Sequence, residues 1–182
     1  MSSLTLHLQA GRRHLGLKGT SATQWLATHG VIAPTAPNSW SAAPPGPGEV
    51  DPLIVARLGA SELFLQEAAG GHTLERLSQA LRNNPSGVYP VLREDTALVL
   101  AGVGVHDVLA QVCNIDFGAI ALESRAIVMT LMIGVAVLVA PQVAAGERYY
   151  RIWCDPSYGP YLGASLGAVV MDCGGVCTGV SA

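Results

Sequence analysis

Gly102-Val-Gly104 closes an alternating apolar run and opens a helical one. That is where a dinucleotide-binding turn brings its glycines against a pyrophosphate. The third glycine of such a turn is replaced by Asp107. A carboxylate at a helix N-terminus repels a phosphate, so the pair is expected to be a tight strand-to-helix turn. Cys173-Gly-Gly-Val-Cys177 is one close pair of thiols, half of what a structural zinc site needs. Cys113 and Cys154 are isolated and no histidine pair completes a set, so no metal is expected. His7, His14, His29, His72 and His106 stand in no recognised nucleophile arrangement with Ser, Cys and an acid. His29 suits a helix C-terminus before Gly30, and His72 sits in a Gly-Gly-His-Thr turn. Arg93-Glu94-Asp95 is read as a solvated turn or an interface ion pair. No catalytic residue is assigned.

The densest chemistry is aromatic. Four of the five tyrosines and one of the three tryptophans fall between Tyr149 and Tyr161. Strand alternation puts Tyr150, Ile152 and Cys154 on one face and Tyr149, Arg151 and Trp153 on the other. Large groups on both faces mean cover on both faces. Arg, Trp and Tyr are common anchors of protein interfaces, so Tyr149, Arg151, Trp153, Tyr158 and Tyr161 are candidate partner contacts. Cover by the chain's own helices explains the pattern equally well. Trp40 joins the candidates. It lies in Val31–Pro52, where six prolines preclude a helix or central strand. So long an excursion is expected to be mobile or laid on a partner.

The elements that would carry these residues echo each other. Leu15, Leu17 and Gly19 match Leu98, Leu100 and Gly102, and Leu26-Ala27 matches Leu109-Ala110, at a constant offset of 83. Each segment alternates like a strand and then switches to helical spacing. After the first come strands Ile54–Leu58 and Glu62–Gln66 and a helix from Thr73. After the second come the apolar run 127–139, read as one long or two short fully buried strands, and the strand Tyr149–Cys154. A helix follows from Pro156, with Asp155 as N-cap. Val88–Leu92 is an extra strand. The expected fold class is α+β: two related β-α-β-β-α units, about 1–92 and 93–170, with helices on mostly antiparallel sheets. Residues 171–182 read as a flexible, glycine-bearing tail.

Half of the 182 residues are hydrophobic and 13% are charged, against about 25% in average domains. So little charge suggests a large covered interface. A net charge of −3 and the lack of a basic stripe argue against nucleic acid. The run 127–140 ends at Pro141 and is too short for a spanning helix of about 20 residues. No export signal is read at the N-terminus, so reduced thiols and a cytoplasmic location are expected.

Several segments, in order, resemble the gamma-subunit family of heterotetrameric sarcosine oxidase. They are Gly16-Leu-Lys-Gly19 with Trp25-Leu26, Pro37-Asn38-Ser-Trp40, Ala56-Arg57-Leu58-Gly59, Gly87-Val-Tyr-Pro-Val-Leu-Arg93, Val108-Leu109-Ala110-Gln111-Val-Cys113, Val128-Met-Thr130 and Arg151-Ile-Trp-Cys-Asp-Pro-Ser-Tyr158. One departure is Gly163, where the family pattern leads one to expect a bulky aromatic. The resemblance implies a fold similar to the folate-binding part of the glycine cleavage T-protein. It implies a non-catalytic structural subunit, partnered by alpha, beta and delta subunits, in a complex that oxidatively demethylates an N-methyl amino acid. FAD, FMN, NAD and tetrahydrofolate would belong to those partners, with no cofactor bound by this chain. The alternative is a free-standing folate-binding aminomethyl-transfer protein.

Overall fold

A computed structural model describes residues 3–43, 52–144 and 146–179. The elements run β1 (Thr5–Leu8), β2 (Arg13–Lys18), α1 (Ala22–Thr28), β3 (Ser39–Ala43), β4 (Leu53–Arg57), β5 (Glu62–Glu67), α2 (Thr73–Leu81) and β6 (Tyr89–Val91). They continue with β7 (Thr96–Ala101), α3 (Val105–Val112), β8 (Val128–Met132), β9 (Val135–Ala144), β10 (Glu147–Cys154), α4 (Gly159–Asp172) and β11 (Val176–Thr178). The chain divides into two units. One is Gly11–Glu94; the other joins the residues up to Ala10 with those from Asp95 onward.

In the Gly11–Glu94 unit the sheet order is β3-β4-β5-β2-β6, all antiparallel. The alternating Leu15 and Leu17 of β2 and Leu63 and Leu65 of β5 face one core with Leu26 of α1 and Leu74 and Leu77 of α2. Burying a leucine side chain contributes roughly 1.5–3 kcal/mol, so this leucine cluster is what seats both helices. The N-terminus of α2 is capped from within. Glu67, almost wholly buried, accepts hydrogen bonds from Thr73 N at 2.7 Å and Leu74 N at 3.2 Å, and Arg13 Nη2 approaches it at 3.4 Å. Gly71 makes room for it, since a Cβ there would lie 2.3 Å from Glu67 Cγ.

In the other unit the order is β8-β9-β10-β7-β1-β11. Only β1 and β11 run parallel. Leu98 and Leu100 of β7, Ile152 of β10, Val108 and Leu109 of α3, and Leu162 and Leu166 of α4 form its core. Element for element the two sheets coincide, with β11 as the addition. The echo read from the sequence is therefore a structural repeat; the units divide at Glu94, close to the expected boundary, but the residues up to Ala10 belong with the later unit. β6 closes the sheet of β2, whereas β1 closes the sheet of β7. The leading strand of each repeat pairs in the other repeat's sheet. Gly19 and Gly102 mark the crossing points. Each has a positive φ, and a Cβ would lie 2.1 Å from Gly87 O and 2.2 Å from Ser3 O respectively.

Three expectations are corrected. First, the stretch 31–52 is not all excursion: β3, carrying Trp40, pairs along β4 from Ser39↔Arg57 to Ala43↔Leu53. It is an edge strand, which is where flanking prolines are tolerated; residues 44–51 lie outside the described residues. Second, the run 127–139 forms two strands that are not fully buried. Ile133 and Gly134, with φ of 50° and 79°, make a two-residue turn between Met132 and Val135. Two positive φ values suit a hairpin of this length. Met129 and Leu131 point outward, 53% and 62% exposed, because β8 is an edge strand with one uncovered face. Third, the glycines after Cys173 do not fray. Gly174 N donates to Met171 O at 2.9 Å and Gly175 N to Val170 O at 2.8 Å, a Schellman stop. That stop turns the chain back so that β11 runs beside β1; residues 180–182 lie outside the described residues.

Candidate functional site

β10 and the turn into α4 position the aromatic centre. Asp155 Oδ1 accepts from Ser157 N at 2.9 Å, capping a 3-10 turn (Pro156–Tyr158) that runs directly into α4. The alternation along β10 holds. Tyr150, Ile152 and Cys154 enter the core, and Tyr149, Arg151 and Trp153 take the opposite face.

Tyr150 is fully buried, yet its hydroxyl is engaged. It lies 2.5 Å from Nε2 of His106, on the first turn of α3. Its ring meets Phe117 edge-on, with centroids 5.5 Å apart. Burial pushes the phenol pKa up; the hydrogen bond and charge of Arg148 pull it down, and Asp116 pushes it up. His106 also lines an open cleft of about 340 Å³ with Cys113, Asn114, Asp116 and Gly118. Asp116 there holds the local turn, its Oδ1 accepting from Gly118 N at 2.9 Å and Ala119 N at 3.3 Å. Cys113 is buried, with its thiol 3.6 Å from Thr130 Oγ1. The cluster can hold a phenol and an imidazole rigidly.

Of the six residues expected at a partner surface, Trp40 belongs to the Gly11–Glu94 unit and the other five to the other unit. Tyr158 and Tyr161, on consecutive turns at the start of α4, are each 54% exposed. Trp40, Tyr149 and Arg151 are half-buried, and Arg151 Nη1 donates to Gln9 Oε1 at 3.2 Å. Trp153 is fully buried. Sequence reasoning passed over His106 and Glu67. His106 reaches Tyr150 only through the packing of α3 on the sheet. Glu67 could have been noticed as an acid six residues before a helix that lacks a side-chain cap of its own. His29 does end α1, with its Nδ1 2.8 Å from Trp25 O. Gly102 and Gly104 are accounted for by the strand crossing and by a left-handed N-cap to α3. Among the described residues, no group of three or more His, Cys, Asp or Glu is arranged to hold a metal, and no helix is long and apolar enough to cross a membrane.

No family model matches the sequence, and no curated protein matches it either. Solved structures do match. A chain of heterotetrameric sarcosine oxidase from Corynebacterium sp. U-96, solved with pyrrole 2-carboxylate, superposes with a TM-score of 0.70 at 23% identity. The match covers 93% of this chain and 84% of that one. Glycine cleavage system aminomethyltransferase T from Bartonella henselae superposes with a TM-score of 0.63 at 17% identity, over 91% of this chain and 45% of that one. This chain therefore has the fold shared by both, and spans less than half of the aminomethyltransferase.

Proposed function

We propose that this chain is a non-catalytic structural subunit of a sarcosine-oxidase-like complex. It would be docked on larger flavin-bearing subunits that oxidatively demethylate an N-methyl amino acid. The observation that carries this reading is the extent of the match. The match covers 93% of this chain and 84% of one chain of a heterotetrameric enzyme, whereas it covers under half of a glycine cleavage system aminomethyltransferase. The surface supports it. Only 13% of the residues are charged, and Leu92, Leu131, Tyr158 and Tyr161 are more than half exposed. A chain of this composition gains by burial against partners.

Tyr158 and Tyr161 are the anchors that test it. Both are exposed, so Tyr158→Ser with Tyr161→Ser should leave the fold intact. Loss of two interface tyrosines, at about 1–2 kcal/mol each, is expected to weaken retention of the flavin-bearing partners at least tenfold. Unchanged retention would remove this surface from the interface. A second reading, folate binding in its own right, is favoured by the likeness to the aminomethyltransferase. Calorimetry with tetrahydrofolate on this chain separates the two: binding supports the second and its absence the first.

A further inference from the structure

Four strands end the two sheets: β3 and β6 in one, β8 and β11 in the other. An exposed edge offers backbone donors and acceptors to any strand that meets it, and proteins blunt such edges with proline, charge or shortness. β6 is three residues long and contains Pro90. β11 is three residues long, between Gly175 and Gly179. β3 has Pro37 shortly before it and Pro44 directly after it. β8 has none of these devices. Val128-Met-Thr-Leu-Met132 holds no proline, glycine or charge. The chain carries no charged residue between Arg125 and Glu147, so β9 beside it lends none.

The hairpin fixes which groups β8 offers. The two-residue turn Ile133-Gly134 makes Met132 and Val135 a hydrogen-bonded pair. Antiparallel pairs alternate, so Val128, Thr130 and Met132 turn their N–H and C=O toward β9. Met129 and Leu131 turn theirs to the outer edge. Their side chains also stand exposed, at 53% and 62%. Such an edge is complementary to itself. A two-fold axis at Thr130 sets Met129 opposite Leu131 of a second copy, and Leu131 opposite its Met129. Both are hydrogen-bonded pairs, each exchanging two bonds. The four exposed apolar side chains then meet on one face. Moving the axis to Met129 or Leu131 leaves only one such pair within β8. Neither β8 nor β9 brings a charge to this contact, whereas a charged strand would be desolvated there with no countercharge.

We propose that the β8 edge is an interface with a second copy of this chain, paired antiparallel about Thr130 so that two six-stranded sheets join into one. The contact is isologous and closes on itself. It does not rest on the subunit role argued above. The test needs no partner subunit, so it succeeds or fails apart from that role.

Analytical ultracentrifugation of the full chain is expected to show a reversible monomer–dimer equilibrium. Met129→Lys or Leu131→Glu places a lone charge in the pairing and should weaken the dimer at least tenfold. An equimolar mixture of the two variants sets the new ammonium opposite the new carboxylate and keeps the other pair apolar. It should dimerise more tightly than either variant alone, a recovery specific to a register that sets 129 against 131. Should the variants fail to fold, amide exchange in the wild type gives the second readout. Raising the protein concentration should slow the Met129 and Leu131 amides together, while Thr130, already bonded to β9, changes less. A monomer at every concentration, a dimer indifferent to both charges, a mixture no tighter than its parts, or exchange at Met129 and Leu131 that ignores concentration would each overturn the proposal. So would protection of those two amides only by a larger, different protein, which would assign the edge to that partner instead.

Discussion

Two groups on the core face of β10 set how this protein should respond to alkali. Burial, and then the carboxylates of Asp95 and Asp155, push the Cys154 thiol up to about 11 from its ordinary 9.0. An unfolded chain releases that proton first. Between about pH 9 and about pH 11 the folded state holds more protons than the unfolded one. The stability this thiol contributes is thus complete below pH 9 and lost as the pH rises toward 11, on the order of 2 kcal/mol. Urea titrations at about pH 8 and about pH 10.5 should show a larger loss for the wild type than for Cys154→Ala; equal losses would contradict this reading of the site. Tyr150, raised chiefly by burial, acts with the same sign and remains in both proteins. At this scale the sequence was only partly legible. The period of two put Tyr150, Ile152 and Cys154 on one face correctly. It carried no sign of the contact between Tyr150 and His106, residues 44 positions apart in the chain. It also could not show that Trp153 is enclosed, because a strand pattern names faces and not what covers them.

The elements hold through two devices that can be broken singly. Glu67→Gln keeps the shape of the side chain that caps α2 but removes its charge. The loss of charge-assisted hydrogen bonds to Thr73 N and Leu74 N is expected to cost about 1–3 kcal/mol. Hydrogen exchange should quicken first at those two amides. Gly19→Ala and Gly102→Ala offer a paired test of the repeat. Both glycines sit where a Cβ meets a backbone carbonyl, at positive φ. The backbone conformation alone costs about 1–3 kcal/mol, and the collision adds to it. Thermal melts should fall for both; tolerance of either substitution would show that its strand crossing is looser than described. The repeat was legible because β2 and β7 carry the same leucines before the same glycine, and α1 and α3 the same helical spacing. The exchange of β1 and β6 was not. Strands of four and three residues carry too little periodicity to register. Their partners are fixed by non-local pairing, which leaves no local mark. β3 was missed for a related reason: six prolines nearby argue against a strand, yet an edge strand needs donors on one side only.

The whole molecule is two cores in one chain, poor in charge and with exposed apolar side chains. Fold class, the repeat and the resemblance to a subunit of heterotetrameric sarcosine oxidase were readable from composition, spacing and short segments. The membership of β1 in the later unit needed coordinates, since it depends on which strands lie beside which. The central claim is that this chain works as part of a larger flavin-bearing enzyme. The most direct measurement is size-exclusion chromatography of the tagged chain recovered from its native cells, with light scattering, flavin absorbance and turnover of N-methyl amino acids read across the same peak. The account predicts one peak far heavier than 18.8 kDa, coloured by flavin, active, and losing neither chain nor activity on rechromatography. A colourless monomer that turns over substrate by itself, or binds tetrahydrofolate with no larger subunit present, would contradict it.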